Sequence, residues 1–219
     1  IGKDNEVLVR ITQAGIDGTD RAIISHFERD LPAGSSRIIL GHEAVGVVER
    51  VGKAVKTLKK GDLVAPTVRR GCGECVSCLN NESDMCFTGR YKERGIHWLD
   101  GFFTRYAADE EKYVVKIPRE LEDVAVLVEP LSIAEKAMET ITHIQSRLKW
   151  GCVHYRHGYD KEQWGSCKRA VVFGAGAIGF SMAALLRLSS VDTCVVEIVD
   201  RGSLKGRLIE SIGAKYVDG

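Results

Sequence analysis

The run Glu6–Ala14 (EVLVRITQA) alternates apolar and polar positions, the period of a strand with one face buried. Asp17-Gly18-Thr19-Asp20 follows, with Thr19 or Asp20 placed to cap a short helix reaching Ile24. Ala44–Val51 and Asp62–Ala65 again carry β-type residues bounded by glycines. From 69 to 101 no period persists; the stretch is rich in Gly, Cys, Asn and charge, and so long an excursion needs a staple of its own. Strands are expected again over Phe102–Pro118. In EPLSIAEKAMETITHIQSRL, residues 129–148, apolar residues recur at three and four with Pro130 near the start, which predicts a helix. Residues 151–168 read as a polar, aromatic-spiked connector. From Arg169 the period changes to strand, glycine turn, a helix over 178–189 and a strand over 193–199.

This order predicts a mixed α/β chain with three parts. A β-rich domain occupies 1–130 and carries the cysteine lobe at 69–101; a connecting helix and linker fill 131–167; a parallel-sheet domain begins at 168 and runs to 219. The composition, 44% hydrophobic and 28% charged, is that of an ordinary globular protein. A net charge of +1 offers no electrostatic footprint for nucleic acid or an anionic membrane. Lys59-Lys60 and Arg69-Arg70 read as solvated faces. The longest apolar run, Val171–Leu186, is shorter than the ~20 residues of a spanning helix. Seven cysteines, an odd number with four crowded together, argue against a disulfide framework and for reduced thiolates in a cytoplasmic protein.

Three patterns carry chemistry. Cys72-x2-Cys75-x2-Cys78-x7-Cys86 supplies four thiolates that can fill every position of one tetrahedral Zn²⁺, a closed structural site. An iron–sulfur cluster and free buried thiols are the alternatives, although no Cys-Pro follows the fourth cysteine. His42-Glu43 sits on a glycine turn before a strand, and such a pair by itself is more often a surface turn than a ligand pair. Gly174-x-Gly176-x-x-Gly179 lies between a strand and a helix opened by Ala177 and Ile178. There Gly174 allows a tight turn, Gly176 the approach of a pyrophosphate, and Gly179 close helix–strand packing. Asp200, expected to end the next strand, is the candidate for the adenosine ribose hydroxyls, with Glu197 as the alternative acid. Arg201, Lys205 and Arg207 follow and could hold a 2′-phosphate, so NAD or NADP is expected.

Gly-His-Glu-x-x-Gly at 41–46, a four-cysteine lobe and then a glycine turn, in that order, resemble the zinc-dependent medium-chain alcohol dehydrogenases. GDLVAPTVRRGCGECVSC, DMCFTG, ERGIHWLDGFF, KYVVKIP and LVEPLSIAEKA resemble the archaeal glucose 1-dehydrogenases of that family. The resemblance implies a GroES-like catalytic domain followed by a Rossmann domain. It implies two Zn²⁺ per chain, one on Cys72, Cys75, Cys78 and Cys86, the other catalytic on Asp17, His42, Glu43 (directly or through water) and Glu129. Most relatives have cysteine where Asp17 stands; so carboxylate-rich a set should leave the metal less Lewis-acidic and less selective for zinc. It further implies that Thr19 bonds the reacting oxygen, that Glu43 and Thr19 serve catalysis, and that Glu93 and Glu129 contact the substrate. The expected reaction is oxidation of glucose, or a related aldose such as galactose, at C1 to the aldonolactone, in a homo-oligomer (tetramer or dimer) when full length. The family pattern also suggests a fragment lacking an N-terminal strand and much of the cofactor domain. A polyol, threonine or simple alcohol dehydrogenase, or a non-catalytic zinc-stapled binding module, are the rival readings. His97, His143, His154 and His157 lack a signature and read as surface or packing residues.

Overall fold

The structure is a computed structural model that describes residues 1–25, 30–147 and 165–219. His154, His157 and most of the connector expected at 151–168 lie outside the described residues. The chain divides into two compact units, Ile1–Glu129 and Pro130–Gly219.

The first unit opens with strand β1 (Glu6–Gly15), helix α1 (Gly18–Ser25), and strands β2 (Glu43–Val51) and β3 (Leu63–Pro66). The excursion after 69 folds into small pieces: β4 (Arg69–Arg70), α2 (Val76–Leu79), β5 (Lys92–Arg94) and β6 (Trp98–Leu99). Two further strands, β7 (Tyr106–Glu110) and β8 (Val114–Lys116), return to the main sheet, whose order is β7-β1-β2-β3-β8, antiparallel throughout. The alternation read in β1 holds: Val7 and Val9 point inward with Val48, Val64 and Val114. β2 differs, because successive residues Ala44 and Val45 are both buried, one against Phe102 and Ala107, the other against Leu63, Ala65 and Ile117. At its first half this strand is covered on both faces, which is why that stretch reads as a nearly continuous apolar run.

Arg69 and Arg70 correct the reading of that pair as a solvated face. Arg70 is buried and bonds Asp109, to which Arg94 also donates at 2.9 and 3.1 Å. Asp109 belongs to β7, so two guanidiniums tie the cysteine lobe to the main sheet. A buried carboxylate with two cations has its charge compensated locally, which is the condition for tolerating it there.

Helix α3 (Val128–Ser146) confirms the helix predicted from 129. In the second unit β9 (Arg169–Phe173), α4 (Ala177–Leu188), β10 (Asp192–Glu197), α5 (Leu204–Ser211) and β11 (Lys215–Asp218) alternate. The strands form a parallel sheet in the order β11-β10-β9. Its core joins Ala175, Ala183, Val195, Ile209, Ala214 and Tyr216. The mixed α/β reading, an antiparallel GroES-like part and a Rossmann-like parallel sheet, is what the chain adopts. β10 ends at Glu197, three residues before Asp200, so the carboxylate expected at the strand's end stands in the following turn instead.

Candidate active site

The turn between β1 and α1 brings Asp17 to the helix start. Its Oδ1 accepts the amides of Thr19 (2.8 Å) and Asp20 (3.1 Å), while Asp20 Oδ2 accepts the amide of Asp17 (3.2 Å). This reciprocal pair is a capping box built from two aspartates. The N-cap is therefore Asp17, not Thr19 or Asp20. Its other oxygen remains available: Oδ2 accepts the Thr19 hydroxyl at 3.0 Å and lies 3.5 Å from His42 Nε2. One carboxylate thus serves the helix with one oxygen and faces the histidine with the other.

His42 is held from behind. Gly41 has φ +89°, and its amide donates to Asp20 Oδ1 at 3.1 Å. A Cβ on Gly41 would fall 2.3 Å from the Phe103 ring, so only glycine lets the strand start here. Asp20 is 1% exposed and joins both the Asp17 cap and the His42 turn. Sequence reasoning treated it as a helix cap; the signal for its buried role was the spacing Asp-x-x-Asp before Gly-His-Glu.

His42 belongs to two overlapping groups whose possible ligand atoms lie within 4.8 Å of one another: Asp17, Asp20 and His42, and His42, Glu43 and Glu129. Glu43 begins β2 and Glu129 lies in the first turn of α3, so chain segments far apart in sequence meet at the imidazole. A tetrahedral zinc with ligand distances of about 2.0–2.2 Å sets its ligand atoms roughly 3.3–3.6 Å apart. The 3.5 Å between Asp17 and His42 falls in that range and is long for a hydrogen bond. His42 Nδ1 is buried without a hydrogen-bond partner among the described residues. Nε2 is the ring nitrogen turned toward Asp17 and is the one placed to meet a cation.

The acids differ in character. Burial acts to raise the Asp17 carboxyl, but the bonds from Asp20 and Thr19 and the nearby imidazole outweigh it, and the group sits below its ordinary range. Burial pushes Glu43 and Glu129 upward, His42 opposing and the neighbouring carboxylates adding to the rise. An added cation would relieve the crowding of negative charge at both.

Glu93 lies on β5 and is held by Arg69, whose Nη2 and Nε reach Oε1 at 2.6 and 3.1 Å. The Arg69 guanidinium stacks 3.9 Å from the centre of the Tyr91 ring. The charge of Glu93 also acts, as the smallest of several influences, to raise the Glu129 carboxyl.

In the lobe, Cys72, Cys75, Cys78 and Cys86 offer sulfurs within 4.8 Å of one another. Cys75 and Cys86 are 3.9 Å apart, close to the roughly 3.8 Å edge of a tetrahedron with Zn–S of about 2.3 Å. The Cys78 amide points at Cys75 Sγ (3.5 Å) and the Cys75 amide at Cys72 Sγ (3.4 Å), which favours thiolate. The Thr88 hydroxyl draws Cys72 and Cys86 below the usual thiol range, whereas burial pushes Cys78 above it. All described cysteines are free.

In the second unit, Gly174 (φ +89°) makes the turn after β9, and Gly176 caps α4. A Cβ at Gly179 would lie 2.0 Å from the Gly174 carbonyl oxygen, so helix and turn are in van der Waals contact. The amides of Ala177, Ile178 and Gly179 open α4, where backbone donors face outward and favour an anion. Asp200 Oδ1 accepts the Gly202 amide at 2.7 Å on an exposed turn. Arg201 bonds the Tyr216 carbonyl at 2.6 Å. Glu197, the alternative ribose acid, is turned inward: its oxygens take the amides of Ala175 and Ile198 and the Lys205 ammonium.

An antiparallel sheet that gathers a histidine and carboxylates, followed in sequence by a glycine-turn parallel sheet, is the architecture of the medium-chain dehydrogenase fold. Residues 3–119 match the sequence model of the alcohol dehydrogenase GroES-like domain, and residues 122–219 that of the glucose dehydrogenase C-terminus. The chain belongs to the zinc-dependent medium-chain alcohol dehydrogenase family. It is 40% identical to the glucose 1-dehydrogenase of Methanocella arvoryzae over 96% of this chain, and 39% identical to that of Thermoproteus tenax over 97%. It spans 55% and 56% of those two relatives. Among solved structures it is similar to Haloferax mediterranei glucose dehydrogenase in complex with NADP, Zn and gluconolactone. The TM-score is 0.81 at 33% identity, covering 100% of this chain and 58% of that one. No helix among the described residues is long and apolar enough to cross a membrane.

Proposed function

We propose that this chain carries the metal centre and the first part of the dinucleotide site of an NAD(P)-dependent dehydrogenase that oxidises glucose, or a related aldose such as galactose, at C1 to the aldonolactone. The observation that carries the reading is the 3.5 Å approach of Asp17 Oδ2 to His42 Nε2, with His42 belonging as well to a second group with Glu43 and Glu129. The glucose dehydrogenases among the relatives, and the neighbour bound to NADP, Zn and gluconolactone, support the choice of substrate. In this reading 1–130 is the catalytic domain, 131–167 a connector and 168–219 the start of the cofactor domain. The protein is cytoplasmic and, at full length, a homo-oligomer.

Asp17, His42, Glu43 and Glu129 would hold the catalytic zinc, and the four cysteines a structural one. When bound, the zinc supplies Lewis acidity toward the sugar's anomeric hydroxyl and the nicotinamide accepts the hydride from C1. Thr19 Oγ1, which donates to Asp17 Oδ2 at 3.0 Å, can accept the sugar hydroxyl with a lone pair. As the first link of a proton relay it would turn its own hydrogen from Asp17 to water as it takes up the new one. Glu93 orients the sugar: with Oε1 occupied by Arg69, Oε2 is the oxygen left to accept a hydroxyl. Asp17 rather than cysteine makes the ligand set harder, which favours oxygen-loving cations more than a thiolate would.

The test is a substrate panel on the full natural chain, glucose and galactose against sorbitol, threonine and ethanol, with reduced nicotinamide measured and metals counted. Oxidation of the aldoses with about two zinc ions per chain is expected. Activity confined to sorbitol, threonine or ethanol would reassign the substrate. About one zinc and no turnover would leave a zinc-stapled binding module.

A further inference from the structure

Glu197 ends β10 with its side chain 7% exposed, while that of its partner Lys205 is 44% exposed. The acid is fully engaged. Oε2 accepts the Ala175 amide at 2.8 Å and the Lys205 ammonium at 2.9 Å, and Oε1 accepts the Ile198 amide at 2.9 Å. These contacts, led by the Ala175 amide, hold the carboxyl down at about 2. Ala175 lies between Gly174 and Gly176, so this buried acid grips the glycine turn itself.

Lys205 lies in the first turn of α5, in the segment after Asp200 where Rossmann proteins place a cation for a 2′-phosphate. The other cations of that segment are also engaged. Arg201 bonds the Tyr216 carbonyl at 2.6 Å and lies 3.6 Å from Glu210; Arg207 bonds the Gly202 carbonyl. Lys205 is the one whose partner is a buried anion. A solvent-reachable ammonium is thus tethered to a carboxylate that cannot follow it outward.

We propose that Glu197 is a positioning residue that also sets cofactor specificity: it fixes the glycine turn through Ala175, and it withholds Lys205 from the 2′-phosphate that distinguishes NADP from NAD. The inference rests on the proposed reading of the glycine turn as a dinucleotide site.

Two substitutions separate the roles. In Glu197→Gln the side-chain carbonyl can still accept the Ala175 amide, at the cost of the Ile198 amide bond that the second carboxylate oxygen made, and no charge retains Lys205. In Glu197→Ala the turn loses its acceptor altogether. Calorimetric binding of NAD and of NADP to the full natural chain, with melting curves for each variant, reads both effects. Glu197→Gln raises the NADP-to-NAD affinity ratio about five- to tenfold, the worth of one partly exposed charge-assisted contact. Adding Lys205→Met abolishes that rise. Glu197→Ala weakens both dinucleotides in parallel, and Gln restores the binding of NAD. Lys205→Met alone leaves the ratio within about twofold of the parent, because the tethered ammonium was not serving the phosphate.

An unmoved ratio in a folded Glu197→Gln protein overturns the inference, as does a rise that persists without Lys205. Should Glu197→Gln fail to fold, Lys205→Met decides: a selective loss of NADP affinity would show the ammonium already on the phosphate and overturn the tether. Binding of neither dinucleotide by the parent overturns the reading of the turn as well. Binding of both with the wrong ratio overturns the inference alone.

Discussion

Asp17 performs two tasks with two oxygens, and substitution can separate them. Oδ1 caps α1 through two amides at 2.8 and 3.1 Å, and Oδ2 faces His42 at 3.5 Å. Helix α1 has eight residues, and only Asp20 among them is buried, so packing contributes little and the cap matters. Replacing Asp17 by Ala removes cap and candidate ligand together, at a cost of about 1 kcal/mol from the cap (range about 0.5–2). In a protein of this size that lowers the melting temperature by about 2–4 °C. Asn caps nearly as well as Asp, so Asp17→Asn should cost under about 0.5 kcal/mol in the metal-free protein. It does remove the anionic oxygen from the cation. Loss of an outer partner of a ligand weakens metal binding about 10–100-fold, so loss of the ligand itself should exceed about 100-fold. The assay is chelator competition with metal counting, beside melting curves of metal-free and zinc-loaded protein. Asp17→Asn should retain about one zinc, on the thiols, and lose the other with little change in metal-free stability. If Asp17→Asn keeps both ions at unchanged affinity, Asp17 is a helix cap alone and the metal reading fails.

Further outcomes follow from other parts of the molecule. Cys78→Ser should release one zinc, leave the Asp17 site loaded, and open 69–101 to limited proteolysis, because that segment has no large core of its own. Gly179→Ala would set a Cβ 2.0 Å from the Gly174 carbonyl oxygen, so α4 must retreat. The expected cost is about 1–3 kcal/mol, with dinucleotide binding weakened in calorimetry. Glu197, held at about 2 against an ordinary 4.5, stabilises the fold fully above the unfolded value, and the contribution is lost as pH falls from about 4.5 through about 2. Acid unfolding of Glu197→Gln should therefore show a shallower dependence than the parent across that window; parallel curves would contradict the pairing.

Much of the fold was legible because periodicity is local. β1, β2, β3, α3 and α4 fall within a residue or two of the segments whose alternation or three-and-four spacing announced them. The strand ending was misread: Ile198 and Val199 extend the apolar run of β10, but the ladder to β11 stops at Glu197. The Arg69-Arg70 pair was misread for a different reason. A guanidinium looks solvated until a buried acid from another strand is known to lie against it, and nothing near Arg70 in sequence announces Asp109.

What the sequence by itself determined is whatever depends on spacing within one short segment: the thiol lobe, the glycine turn, the alternating strands and the pairing of His42 with Glu43. The backbone between such residues is too short to hold them far apart. What only the tertiary structure decided is which oxygen of Asp17 faces the imidazole, that Asp20 ties Gly41 to the helix start, that Arg69 holds Glu93, and that Glu197 turns inward to Lys205. Those are contacts across turns and between strands, set by φ angles and by which side chain reaches a partner first, and the order of residues along a chain does not encode them in any local pattern.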